Sequence, residues 1–396
     1  MSYKMINISE ELFKYNPWWE GEYSLSLIPR EKYIRYLESN LKNRDIILIT
    51  GLRRVGKTSI MKLMISRLLK DVKPEHILYV SLDSIPLEPF STMEILREYR
   101  KIFKIPLEQK VYVFFDEAGC RTNIHQELKN LYDSENVKIF ASSSSATILN
   151  DTRAMLTGRA RLIEIMPLDF REYLQFKSIT IKRSQTYLLE SYFEEYMKNG
   201  GIPEYVLTGD VTYLDSLIES VIYKDIVSAF GVRDVGMVKD FYRLVMERAG
   251  KLVSINKIAR ILDISPDTAR RYLEYFRRTY LIHLVERKGK VNERIKAPRK
   301  IYSADIGIRN LFTGFRDKGA IFENLVYLSI KEKQPLYIYQ NGVEIDFYWD
   351  DTILEVKYGR NIEDKQKDFF ENYPAKRKLL ISTISDYLDM IGFVVR

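Results

Sequence analysis

The sequence has few of the residues that most often carry metal or nucleophilic chemistry: one cysteine, Cys120, and three histidines, His76, His125 and His283, far apart along the chain. A lone cysteine excludes an intrachain disulfide and a thiolate metal cluster, and it fits a reducing compartment. Three scattered histidines are a poor basis for a zinc site or a histidine-based triad. Long apolar runs are missing as well. The longest, such as IILI (46–49) and VYVFF (111–115), have strand length, well short of the ~18 residues of a membrane span. The opening MSYKMINISEELF contains no apolar signal core, so the expectation is a soluble, cytoplasmic protein with no membrane partner.

What is present is a chain of 396 residues, enough for two or three domains of about 100–200 residues each. Lys and Arg (62) outnumber Asp and Glu (54), a surplus of eight that suits a polyanionic partner. After an N-terminal segment (1–40), DIILIT (45–50), the bend GLRRVGKT (51–58) and the helical SIMKLMISRLLK (59–70) read strand, loop, helix. Further apolar strands follow at 76–82, 111–115, 137–143 and 161–167. This alternation predicts an α/β fold with a parallel sheet over 41–168. An aromatic, helical stretch (169–233), broken by NGGIP (199–203), reads as a helical lid. From 234 to 300 the pattern predicts a helix-turn-helix, with Ser265 as N-cap and Pro266 in the first turn, followed by a wing hairpin. Residues 301–396 mix helices and strands in a smaller α/β domain.

Gly51 to Thr58 fits G-x-x-x-x-G-K-[ST] between a strand and a helix. Its glycines let successive N–H groups of Gly51, Arg53, Arg54, Val55, Gly56 and the helix start at Ser59 face phosphates; Lys57 adds charge near the β and γ groups, and Thr58 offers a hydroxyl to Mg2+. The side chains of Arg53 and Arg54 read as surface cations. VYVFF ends in Asp116 and Glu117. Asp116 suits the Mg2+ shell, and Glu117 suits orienting and deprotonating a water. The fourth strand ends in Ser142 to Ser145, where Ser142 or Ser143 is placed to report on a γ-phosphate, or the run is a plain loop. Arg159, after the short helix expected in TRAMLTGRARL, is a candidate contact to the γ-phosphate of its own or a neighbouring subunit, the alternative being a solvated charge.

On the third helix of the helix-turn-helix, period 3.6 buries Ala269, Tyr272, Leu273, Phe276 and Tyr280 and turns Arg270, Arg271 and Arg278 outward. Residues 287–300 carry seven cations, Lys288 and Lys290 among them, against one acid. Duplex DNA is the partner such a face suits; packing or assembly through a protein partner is the alternative. Further on, a turn at Asp350 and Asp351 pairs Trp349 with Thr352 and sets Asp346 opposite Glu355, with Lys357 on the same face. Two opposed carboxylates call for a cation. A Mg2+ nuclease site with Glu323 as a further ligand is one resolution, and a salt-bridge cluster through Lys357 is the other.

Taken together, GLRRVGKTS, FFDEA, SSSS, LTGRARLIEIMPLDFREYL, NGGIPEY, YKDI, IYSADIGIRN, IFENLVYL and VEIDFYW with LEVKYG resemble the prokaryotic AAA-type ATPases that carry a winged helix and a C-terminal PD-(D/E)XK nuclease-like domain. The resemblance spans nearly the whole chain and implies ATP hydrolysis with ATP and Mg2+ as cofactors, and a homo-oligomer as one assembly. Four serines stand where a Gly-Ser pair is more usual. The expected function is a DNA-associated ATPase whose nucleotide state controls the nuclease-like module; the alternative is an ATP-driven switch or scaffold that does not cut.

Overall fold

Five apolar runs become strands β1 (Ile46–Thr50), β2 (Ile77–Ser81), β3 (Val111–Asp116), β4 (Val137–Ser142) and β5 (Ala160–Glu164). All their pairings are parallel, in the order β2-β3-β4-β1-β5. Every residue of β1 and β4 is buried. Strands covered on both faces show no alternation of polar and apolar residues, which is why these read as continuous hydrophobic runs. Helices α1 (Ile8–Tyr15), α2 (Glu31–Ser39), α3 (Lys57–Leu68), α4 (Thr92–Phe103) and α5 (Ile124–Ser134) belong to this part of the chain. Ile46, Leu48, Leu78, Val80, Val113, Phe115, Ile139 and Tyr99 are central to its core. The computed structural model describes residues 8–144, 156 and 158–394, so Ser145 and most of the short helix expected before Arg159 lie outside the described residues.

The chain divides into two compact units, residues 1–166 and 167–396. The second begins with helices Phe170–Phe176, Leu189–Asn199, Pro203–Thr208 and Val211–Ser220 and a π-helical stretch Val221–Val227. Helices Val235–Met246, Ile255–Ile261 and Pro266–Arg278 follow. Asp263, at φ 51°, makes the tight turn between the last two, and the Ser265 side chain accepts the Thr268 N–H as N-cap. Ala269, Tyr272, Leu273 and Phe276 are buried, as 3.6 periodicity predicts. Asp305 caps helix Ile306–Thr313 and accepts the Gly201 N–H at 2.6 Å, drawing the NGG bend onto it.

A three-stranded antiparallel sheet has the order β6 (Leu252–Val253), β8 (Arg299–Ser303), β7 (Ile282–Val285). The expected plain hairpin is interrupted: helix Val291–Lys296 lies between β7 and β8. Strand β8 also runs through residue 300, where the sequence suggested a boundary. A four-stranded sheet has the order β12 (Arg377–Ile381), β11 (Thr352–Val356), β10 (Val343–Trp349), β9 (Leu336–Gln340). Trp349 pairs with Thr352 across Asp350 and Asp351, both at positive φ, the signature of a two-residue hairpin turn. Helix Lys318–Ile330 packs against β8 and β11. Among the described residues no helix is long and apolar enough to cross a membrane.

Candidate functional site

The bend after β1 sits at the carboxyl edge of the parallel sheet, where ligands bind in open α/β folds. Gly51 adopts φ 137°, and a Cβ there would stand 2.3 Å from the Ile165 carbonyl oxygen, so only glycine fits. Gly56, at φ 96°, is the N-cap of α3. Helix α3 therefore opens at Lys57 with its first N–H groups turned toward the bend, the arrangement that attracts phosphate. Lys57 is buried and its Nζ donates to the Gly51 and Leu52 carbonyls at 3.1 and 3.0 Å, holding the ammonium over the bend. Val55 is buried, and its carbonyl accepts from Arg30, whose guanidinium also donates to the Met166 carbonyl. Ser59 lies in the first turn of α3, Arg53 is half-buried and Arg54, at φ 65°, is exposed.

Asp116 ends β3 beside this bend. Its Oδ2 accepts from Thr58 Oγ1 at 2.6 Å and from the Tyr79 hydroxyl at 2.7 Å. Its Oδ1 accepts from the Ser142 hydroxyl and from the Glu117 N–H at 3.2 Å. Ser142 Oγ in turn accepts the Glu117 N–H at 3.1 Å, so the first serine of the run lies against both acids. Ser143 is buried, its N–H bonded to the Ile49 carbonyl. Glu117 sits at φ 48°, an unusual backbone position for a non-glycine and one frequent at functional sites. Burial pushes its carboxyl above the usual range, with the nearby Asp116 adding to the rise and Lys57 and Arg53 opposing it. A carboxyl with raised affinity for protons is suited to general-base work. The hydroxyl of Thr58 and the carboxylate of Asp116 form a hard-oxygen donor pair of the kind Mg2+ takes, so the residues fit that ion. Tyr79 escaped sequence reasoning; its reach to Asp116 depends on β2 lying next to β3, which no local pattern reveals.

Arg159 is placed elsewhere. It precedes β5, and Ala160 pairs with Ile46 at the start of β1, whereas the bend follows Thr50, four residues or about 13 Å along the sheet. Its side chain pairs with Asp133 at 3.2 Å over the Tyr132 ring, so the expected contact to a γ-phosphate of its own chain is not made. Arg161 likewise pairs with Asp45 at 2.5 Å.

In the second unit Glu323, Asp346, Glu355 and Lys357 come together, but with an occupant the sequence reading left out. Lys300, 1% exposed, lies on β8 with its Nζ 2.7 Å from Asp346, 3.0 Å from Glu323 and 2.5 Å from Glu344. Lys357 bonds Glu355 at 2.8 Å, and Gln366 donates to the same carboxylate at 2.6 Å. The antiparallel ladder gives way here to side chains: the Asp346 N–H donates to Glu355 Oε2 and the Val356 N–H to Asp346 Oδ2. Burial opposes the Lys300 charge, but Asp346, Glu323 and Glu344 together hold its ammonium well above the ordinary value. Burial, then Asp346, pushes Glu323 up to about 7 and raises Glu355 as well. Among the described residues no group of three or more His, Cys, Asp or Glu side chains is arranged to hold a metal ion. The cation that opposed carboxylates call for is here an ammonium: Lys300 for Asp346 and Glu323, and Lys357 for Glu355.

The basic stretch is also more occupied than its count suggests. Arg294 and Arg299 both pair with Glu286, Arg287 donates to the Tyr339 carbonyl, and Lys288 bonds the Tyr373 hydroxyl with its Nζ 3.4 Å from the Tyr348 ring centroid. Lys290 directly precedes helix Val291–Lys296, makes no side-chain capping bond to it, and is exposed. On helix Pro266–Arg278, Arg270 pairs with Asp267, Arg271 donates to Thr268, and Arg278 pairs with Glu274. Arg270 and Arg271 are exposed, and Arg278 is half-buried.

Residues 43–174 match the family model of an AAA domain, and residues 190–319 match that of a domain of unknown function. The stretch matched by the AAA model contains the glycine bend, Asp116 and Glu117. An uncharacterized protein of Methanocaldococcus jannaschii is 28% identical over 389 residues, covering 91% of this chain and 86% of its own length. An uncharacterized protein of Haemophilus influenzae is 28% identical over 328 residues, covering 78% of this chain and 79% of its own. Among solved structures, the Walker-type ATPase of Pyrococcus abyssi is similar at a TM-score of 0.47 and 17% identity, covering 73% of this chain and 96% of that one.

Proposed function

We propose that this chain binds ATP and hydrolyses it with the help of Mg2+, and that its second unit answers the nucleotide state by contact with duplex DNA without cutting it. The observation that carries the first part is the meeting of Thr58 with Asp116 at 2.6 Å beside the glycine bend, which brings the two halves of an ATP site together. In this reading the N–H groups from Gly51 to Ser59 bind the phosphates, and the Lys57 ammonium turns from the Gly51 and Leu52 carbonyls to the β and γ groups. Thr58 and Asp116 would hold Mg2+, which would supply positive charge against the phosphates. Glu117 orients a water and takes its proton, Asp116 and Ser142 fixing its backbone N–H. The test is Lys57→Ala, assayed by calorimetry with a slowly hydrolysed ATP analogue: binding should vanish, and affinity equal to the natural protein's would overturn the reading.

For the output, the exposed Arg270 and Arg271 on a helix that follows a tight turn form the surface suited to DNA phosphates. The ammonium of Lys300 among Asp346, Glu323 and Glu344 favours grip over cleavage, because a metal-dependent nuclease needs those carboxylates for its ion. Contact with a protein in place of DNA is the competing output, and the salt and charge-reversal experiment described below separates the two.

A further inference from the structure

Strand β2 is an edge of the parallel sheet, yet the backbone of Tyr79 on that edge is fully engaged. The Asn16 side chain, itself completely buried, accepts the Tyr79 N–H at 2.7 Å and donates to the Tyr79 carbonyl at 2.9 Å, as a neighbouring strand would. A further bond from Asn16 to the Leu12 carbonyl at 2.7 Å ties this carboxamide to α1. Tyr79 pairs with Phe114, two residues before Asp116, so its side chain leaves the same face of the sheet as Asp116. Diagonal neighbours of this kind lie about 7–8 Å apart, a gap that a tyrosine spans. Tyr79 is 5% exposed and its hydroxyl ends 2.7 Å from Asp116 Oδ2.

The oxygen that Tyr79 holds is also the one that Thr58 holds. With the Thr58 hydroxyl engaged by a metal ion, the Tyr79 hydroxyl would still hold Oδ2. We propose that Tyr79 is the positioning residue of the Mg2+ site: its hydroxyl fixes the Asp116 carboxylate for Mg2+–nucleotide, and the Asn16 carboxamide sets the height of Tyr79 on the sheet. This rests on the ATP reading above. It assigns to the segment before the glycine bend a part in metal affinity that packing alone does not require.

The test compares the affinity of a methylanthraniloyl-labelled ATP analogue with Mg2+ and in excess EDTA. Tyr79→Phe removes one oxygen and keeps the ring. The ratio of the two affinities should fall about tenfold, the equivalent of one hydrogen bond to a charged group. Asn16→Ala should lower the same ratio by a smaller factor, whereas a merely structural role would depress the melting temperature and leave the ratio alone. If Tyr79→Phe keeps the natural ratio, whether both affinities hold or both fall together, the inference is overturned while the ATP reading stands. Nucleotide binding to Lys57→Ala as tight as to the natural protein would instead sink the reading beneath it.

Discussion

Lys300 Nζ lies 2.7 Å from Asp346 Oδ1, and the pair joins two sheets: Lys300 belongs to β8 of the three-stranded sheet and Asp346 to β10 of the four-stranded one. Both are nearly inaccessible to water, so each depends on the other to offset desolvation. Replacement of Lys300 by Met should therefore cost about 3–5 kcal/mol in a denaturant titration, because Asp346 and Glu323 lose their cation. Adding Asp346→Asn should recover part of that loss, the two changes coupling by about 0.5–3 kcal/mol as contacting residues do. Supercoiled plasmid incubated with the natural protein and Mg2+ should stay intact. Cutting that disappears in Asp346→Ala would restore the nuclease reading.

Glu117 is assigned the proton-accepting role, so Glu117→Gln should bind nucleotide and fail to turn it over. A fall in kcat of about 10²–10⁴ is the expected size for a general base, read as phosphate release at saturating ATP. A variant that turned over at the natural rate would remove Glu117 from the chemistry.

Arg270 and Arg271 are exposed, and the ion pair from Arg270 to Asp267 is of a kind that contributes little. The double change Arg270→Glu, Arg271→Glu should weaken binding to a duplex at low salt and flatten its salt dependence by about 2 in the log–log slope. Unchanged affinity in fluorescence anisotropy would leave the protein-contact output as the surviving alternative.

Asp305 gives a pH signature of folding. Burial, against the N–H bonds from Gly201, Ile308 and Gly307, pushes its carboxyl from 3.8 up to about 6. The native state therefore keeps a proton that the unfolded chain has already released, so this group's contribution is greatest below pH 4 and is lost as pH rises to 6. Relative to Asp305→Asn, the natural protein should lose up to about 3 kcal/mol between those values, measured by urea unfolding at several pH settings. A stability difference independent of pH would refute the assignment.

The first unit was legible because its information is local. Buried parallel strands appear as apolar runs, the glycine bend lies between one such run and a helix, and Asp116 closes another run. The carboxylate hairpin was legible for the same reason, since two aspartates at positive φ fix its register. What escaped was contact across strands distant in sequence. Tyr79 meets Asp116 only once β2 is beside β3, and Lys300 reaches Asp346 only once two sheets share a core. Lys300 had counted as one cation of a basic stretch, and a run of like charges does not show which member turns inward. Arg159 stands away from the glycine bend of its own chain because residues before a parallel strand lie at the edge opposite the ligand side. The helix Val291–Lys296 is too short for periodicity to reveal.

The joint between Asn16 and Tyr79 also bears on solubility. Trp18 and Trp19 both donate their indole N–H to the Ile77 carbonyl, so with Asn16 they occupy the Ile77 carbonyl and both backbone groups of Tyr79 on this border of β2. A shortened protein starting after residue 20 would bare that border, and bare strand borders recruit other chains. Such a fragment would clump, and the short stretch between α1 and α2 serves as the sheet's selvedge, the finished margin that keeps it from fraying into its neighbours.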